Sequence, residues 1–155
     1  MNFDSAAVLS LFDQIKSHAM KLGLFEETRT HEPKNAPGHG LRVAVWLHTL
    51  EPIAAASSLV ATSGRVEFHV RVHSSMLQEP QDDIDRDLLI AVSALMGEYS
   101  GNFTLGGTVR DVDLLGEHGP PMSAQAGYLD MDHKLYRVMV ITLPIIINDL
   151  WTQVA

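Results

Sequence analysis

The chain has 155 residues, 46% of them hydrophobic and 19% charged, with a net charge of −8 when histidine is neutral. That size suits one domain burying about 70% of the surface its unfolded form exposes, and so apolar a composition excludes a largely disordered chain. The acidic balance argues against a grip on nucleic acid at neutral pH, and the lack of cysteine removes disulfide and thiol chemistry.

Met1-Asn2-Phe3-Asp4 does not begin the basic-then-apolar pattern of an export signal. From 5 to 22, Val8, Leu11, Phe12, Ile15, Ala19 and Leu22 recur every three or four residues and predict a helix, capped by Asp4 or Ser5 and ended by Gly23. Pro33, Asn35, Pro37, Gly38 and Gly40 then predict a long loop from Thr28 to Gly40. Leu41 to Leu50 alternates and predicts a strand, joined through a segment rich in Ala and Ser to a second strand in a hairpin, with a short strand near Ile53 left open.

That second strand, Arg65 to His73, puts Val66, Phe68, Val70 and Val72 on one face and Arg65, Glu67, His69, Arg71 and His73 on the other. A second helix follows Pro80, its first turn crowded with Asp82, Asp83, Asp85 and Asp87. Its buried stripe is Ile84, Leu88, Val92, Leu95 and Tyr99, and Ser100-Gly101 stops it. Beyond Gly106-Gly107, Val112 and Leu114 alternate against Asp111 and Asp113 before a loop from Gly116 to Pro121. Ala124 to Leu129 and Leu135 to Ile147 predict a hairpin around the polar turn Asp130 to Lys134, and Pro144 predicts an edge or a bulge in its second strand. The apolar run from Val138 to Ile147 contains Thr142 and Pro144 and is shorter than the about 20 residues of a membrane span, so a soluble protein is expected. These elements predict an α/β (α+β) single domain over residues 1–155, a mostly antiparallel sheet packed against two α-helices.

The candidate chemistry is thin. His69 and His73 share a face but lie roughly 13 Å apart at about 3.3 Å per residue, too far to share a zinc ion with bonds of about 2.1 Å. Asp130, Asp132 and His133 offer ligand atoms in one turn without the glycine and closing glutamate of a calcium loop. The acids opening the second helix already have a cause in capping and the helix dipole. Gly38-His39-Gly40 lacks the third glycine of a dinucleotide fingerprint, and neither a phosphate-loop nor a hydrolase-elbow pattern occurs. The expectation is therefore no enzyme, no metal and no cofactor, with the ionisable face of the strand meeting another surface. A small metal-binding hydrolase using His69, His73 or the Asp130 turn is the remote alternative.

Five runs occur in order: Glu32 to Leu41 (Glu-Pro-Lys-Asn-Ala-Pro-Gly-His-Gly-Leu), Ser74 to Asp82 (Ser-Ser-Met-Leu-Gln-Glu-Pro-Gln-Asp), Gly106 to Gly116 (Gly-Gly-Thr-Val-Arg-Asp-Val-Asp-Leu-Leu-Gly), Ser123 to Leu129 (Ser-Ala-Gln-Ala-Gly-Tyr-Leu), and Asn148 to Trp151 (Asn-Asp-Leu-Trp). Together they resemble the tail terminator proteins of long-tailed bacteriophages, in particular those of phages infecting actinobacteria. The resemblance implies a non-enzymatic virion protein, assembled in the bacterial cytoplasm, that closes as a homo-hexameric ring at the head-proximal end of the tail. Such a ring stops growth of the tail tube, offers its other face to the head connector, and passes DNA through its lumen without binding it. A neighbouring connector or stopper ring is the nearest alternative. Within the ring, Arg65, Glu67, His69, Arg71, His73, Ile145 and Trp151 are the expected subunit contacts.

Overall fold

The first helix owes both its ends to single residues. In the computed structural model, which describes residues 2–30, 40–53, 61–75, 82–101 and 111–152, a short strand β1 (Asn2–Phe3) leads into α1 (Ser5–Leu22). The Asp4 carboxylate accepts from the Ala7 N–H at 3.1 Å, meeting one of the donors that a helix start leaves free. Gly23, at φ 67°, closes the other end by donating its N–H to the Met20 carbonyl. The stripe it buries is Val8, Leu11, Ile15 and Ala19, as the spacing predicts, with His18 beside them.

The predicted loop from Thr28 begins instead with a strand, β2 (Glu27–Arg29). Turn-forming residues lie after it, but the Glu27 carboxylate takes hydrogen bonds from both Arg29 and Arg42 and pins β2 parallel to the next strand. Those two guanidinium groups, the Arg29 hydrogen bond first among them, hold the Glu27 carboxyl below the ordinary range. The remainder of the predicted loop, 31–39, lies outside the described residues.

Next come β3 (Arg42–Pro52) and β4 (Ala61–Ser75), the predicted antiparallel hairpin. Their register shifts between Leu47 and Thr49, so His48 is an extra residue in β3, a β-bulge. Ile53, just past the end of β3, donates its N–H to the Ser63 carbonyl. The second helix, α2 (Asp83–Gly101), buries the predicted stripe of Ile84, Leu88, Val92, Leu95 and Tyr99 together with Ala91. After it, β5 (Asp111–Val112) leads to the hairpin of β6 (Ser123–Met131) and β7 (Lys134–Thr152). The turn is tighter than the five polar residues suggested: Asp132 and His133, at φ 52° and 61°, make a two-residue turn whose positive angles match the strand twist.

Among the described residues the strands form one seven-stranded sheet in the order β1-β7-β4-β3-β2, with β5 and β6 also paired to β7, and every pairing there except β2 with β3 is antiparallel. Both helices lie on the face that carries Val66, Phe68, Val70 and Val72, all fully buried. Phe12 of α1 meets Phe68 edge to face, 5.1 Å between ring centres.

Two expectations for β7 are corrected by this order. Pro144 sits at neither an edge nor a bulge but inside a central strand, opposite Glu67 of β4. On its other side β6 ends at the Ser123–Thr142 pair and β5 begins at Val112–Ile145, leaving a gap. The Pro144 carbonyl turns into that gap and accepts from the Asp113 N–H at 2.9 Å. In an antiparallel strand the N and C=O of one residue face the same side, so the missing N–H falls where no ladder bond is needed. Nor is Ile145 a subunit contact, since it lies with Ile141 and Leu143 in the subunit's own core. The true irregularity of β7 comes later, where Asp149 takes φ 52° and the register with β4 jumps from Ile147–Gly64 to Trp151–Thr62. Gly64 permits it: a Cβ there would stand 2.5 Å from Leu150 Cδ2.

Candidate functional site: the ionisable face of the central strand

Antiparallel register fixes the neighbours of each ionisable residue on β4. Arg65 lies between Glu51 and Ile146, Glu67 between Thr49 and Pro144, His69 between Trp46 and Thr142, Arg71 between Ala44 and Val140, and His73 between Arg42 and Val138. All occupy the face of the sheet away from the helices.

One end of this row is a closed ionic network. Arg65 has no exposed surface; its Nη1 donates to Glu67 at 2.6 Å, its Nε to Asp113 at 3.4 Å, and its Nη2 to the Pro120 carbonyl. Glu67 also accepts from the Thr49 hydroxyl at 3.2 Å. Asp113 in turn accepts the N–H groups of Glu117 and His118 at 2.8 and 3.1 Å, so the segment 113–121 is folded around its carboxylate. Gly119 rests directly on the guanidinium, where an added Cβ would lie 2.8 Å from Arg65 Cζ. Buried charges persist only when paired and hydrogen-bonded in this way. The same segment turns Leu115 outward, 91% exposed.

Planar groups line the middle of the row. The Arg71 guanidinium lies 4.8 Å from the centre of the Trp46 ring, His69 meets Trp46 edge to face, and the bulge residue His48 stacks on His69 with ring centres 3.9 Å apart. At the far end Arg71 donates from Nε to His73 Nε2 at 2.8 Å, which requires that nitrogen to be unprotonated. Burial above all, and then the Arg71 charge, lowers the His73 pKa to about 4, with the Arg42 backbone opposing in part. His73 is a neutral imidazole at pH 7.

The residues expected at a subunit contact therefore stand apart in accessibility. Arg65 and Ile145 are enclosed within the subunit and are corrected to internal roles, Arg65 because a loop and three oxygen-bearing neighbours seal it, Ile145 because it packs in the core under the helices. Glu67, Arg71 and His73 are also largely buried within the chain, and His69 is half-buried in its aromatic stack. Trp151 is half-buried too, 5.3 Å from Phe3 across the β1–β7 pairing, and so holds the N-terminal strand.

Beside Arg71 the missing side chain of Gly127 opens a shallow cleft of about 260 Å³ between β6 and β7, walled also by Gln125, Leu129, Val138 and Val140. It is largely apolar and carries one guanidinium. Among the described residues no group of three or more His, Asp or Glu side chains is placed to hold a metal ion, and Asp132 and His133 are the turn itself. No helix among those residues is long and apolar enough to cross a membrane.

Alternation alone missed Asp113, the His48 bulge and the folding back of 113–121. The glycines and prolines from Gly116 to Pro121 signal a turn there, but not what it folds onto. No protein-family model matches the chain, and no curated protein matches it.

Proposed function

We propose that this chain is a structural virion protein, a tail terminator that closes as a hexameric ring on the last ring of a phage tail tube, ends tube growth and receives the head connector. The observation that carries the proposal is the ordered set of five runs between Glu32 and Trp151, which resembles that family along most of the chain. An α+β domain with a mostly antiparallel sheet under two helices suits it. So does the net charge of −8, since like charge keeps DNA from adhering to the wall of a lumen.

With Arg65 and Ile145 internal, the ring contacts are assigned to elements that reach outward. These are the tip of the braced segment at Leu115, half-buried His69 with exposed His48, and the β6–β7 hairpin with exposed Tyr128 and Leu135. A segment already folded around Asp113 loses little freedom on docking, which favours such a contact.

Electron microscopy of the purified protein mixed with tail tubes tests the proposal. Rings seated on tube ends, with tubes that no longer elongate, are expected; uncapped tubes would sink it. Crosslinking to the portal-side ring, with none to the tube protein, would transfer the assignment to a connector or stopper.

A further inference from the structure

Among the described residues β6 pairs along one side, with β7, and its other side is open. The geometry of the hairpin says which backbone groups that opening leaves over. A two-residue turn makes the flanking Met131 and Lys134 a hydrogen-bonded pair, so Leu129, Gly127, Gln125 and Ser123 also turn their N–H and C=O toward β7. The Gly127 carbonyl, which also accepts from Arg137 Nη1 at 3.2 Å, fits that parity. Ala124, Ala126, Tyr128 and Asp130 consequently direct theirs outward.

The contrast with β3 is informative. Beyond the end of β2 at the Arg29–Ala44 pair, β3 is open as well, but it carries the extra residue His48, then Glu51 and Pro52, features that spoil an edge for pairing. β6 has no proline and a single charge, Asp130, near its end, and its Ala126 and Tyr128 are exposed. A lightly charged row of outward peptide groups, unpaired among the described residues, is completed by another extended chain.

We propose that β6 pairs antiparallel with β6 of a second copy of this chain, about a two-fold axis through Gly127. In that register Ala126 meets Tyr128 of the second copy, Ala124 meets Asp130, and the same pairs recur by symmetry. Every outward residue then exchanges two hydrogen bonds with another outward residue, and no like charges face each other. A slip of one residue sets outward groups against inward ones, and a slip of two leaves an outward residue without a mate at each end. At the axis Gly127 faces Gly127, and the clefts beside the two Arg71 side chains run together. The contact goes beyond the tail assignment and stands without it. Adjacent subunits of a cyclic six-membered ring meet head to tail, so a two-fold pair is a state of the free protein and must part before such a ring closes.

The chain has no cysteine, which makes the register directly readable. Facing residues in a non-hydrogen-bonded antiparallel pair have Cα atoms about 4.5 Å apart, within the span of a disulfide. A Cβ at Gly127 meets only Val138 Cγ2, at 3.8 Å, so the subunit accommodates Gly127→Cys. Mild oxidation of Gly127→Cys is expected to give a covalent dimer, while Ala126→Cys, one residue away, stays monomeric on a non-reducing gel. Light scattering of the unmodified protein is expected to give twice the chain mass of 17.0 kDa. Ala126→Pro, which removes an N–H that the β6–β7 ladder does not use, returns the mass to that of one chain with unchanged circular dichroism. Chain mass at every concentration, equal crosslinking of the two cysteine variants, or a folded Ala126→Pro protein that still dimerises would each overturn the proposal. A hexamer in which Gly127→Cys does not crosslink would overturn it while favouring the ring.

Discussion

Val66, Phe68, Val70 and Val72 lie under two helices, whereas on the opposite face of the same strand Arg65 lies under one folded segment, and Glu67, Arg71 and His73 are buried among their neighbours across β3 and β7. Both rows are withdrawn from water, by different physics. The apolar row gains from contact area, which any well-shaped neighbour supplies. The ionisable row holds together only while each charge keeps its partner. A strand can thus be buried on both faces with only one of them reading as core.

The largest expected effect of that difference is at Asp113. Its carboxylate pairs with Arg65 and also gathers the N–H groups of Glu117 and His118, so Asp113→Ala leaves a buried guanidinium short of a partner and the segment without its centre. A loss of about 4 kcal/mol is expected in urea denaturation, in the range for breaking a buried pair. A loss under about 1 kcal/mol would show that Glu67 and Pro120 hold Arg65 by themselves, and would weaken the contrast between the faces.

His73 gives the next effect, one that depends on pH. Its folded pKa of about 4 lies below the ordinary 6.5, so between those values the unfolded chain binds the extra proton. The stabilisation is present in full above pH 6.5 and is lost as the pH falls toward 4. At about 1.4 kcal/mol per unit the whole change amounts to about 3 kcal/mol. His73→Gln keeps an acceptor for Arg71 and does not titrate, so its urea midpoint should fall less steeply across that window. Parallel curves for the two proteins would mean that His73 is protonated as readily folded as unfolded.

What the sequence disclosed follows the range of the forces involved. Both helices were readable because Asp4, Gly23 and the three-or-four spacing act within a turn or two of themselves. The β3–β4 and β6–β7 hairpins were readable from alternation, though the tight turn was not, since Asp132 and His133 reach positive φ without a glycine to announce it. β2 escaped because it rests on Arg42, far along the chain from Glu27, rather than on local preference. The ionisable row shows the same limit: alternation tells which residues share a face but not what covers it. The turn-forming residues from Gly116 to Pro121 announce a loop but not that it folds back on Arg65 and seals that end of the row.

The smallest effect tests the apolar side of the comparison, where one polar atom is out of place. Tyr99 is fully buried between α2 and the core, 6.0 Å from the His18 ring, and among the described residues its hydroxyl has no hydrogen-bond partner. Burial, with the Glu98 charge acting in the same direction, pushes its pKa upward, so the group is a neutral hydroxyl at any ordinary pH. A buried hydroxyl without a partner forfeits its hydration and gains nothing in return. Tyr99→Phe keeps the ring and removes that loss, and a gain of about 1 kcal/mol in thermal or urea denaturation is expected. On the ionisable face the same kind of change, deleting one polar group, is expected to destabilise. A Tyr99→Phe protein that lost stability would mean that the hydroxyl is satisfied, and that the helix-covered face also depends on a specific polar contact.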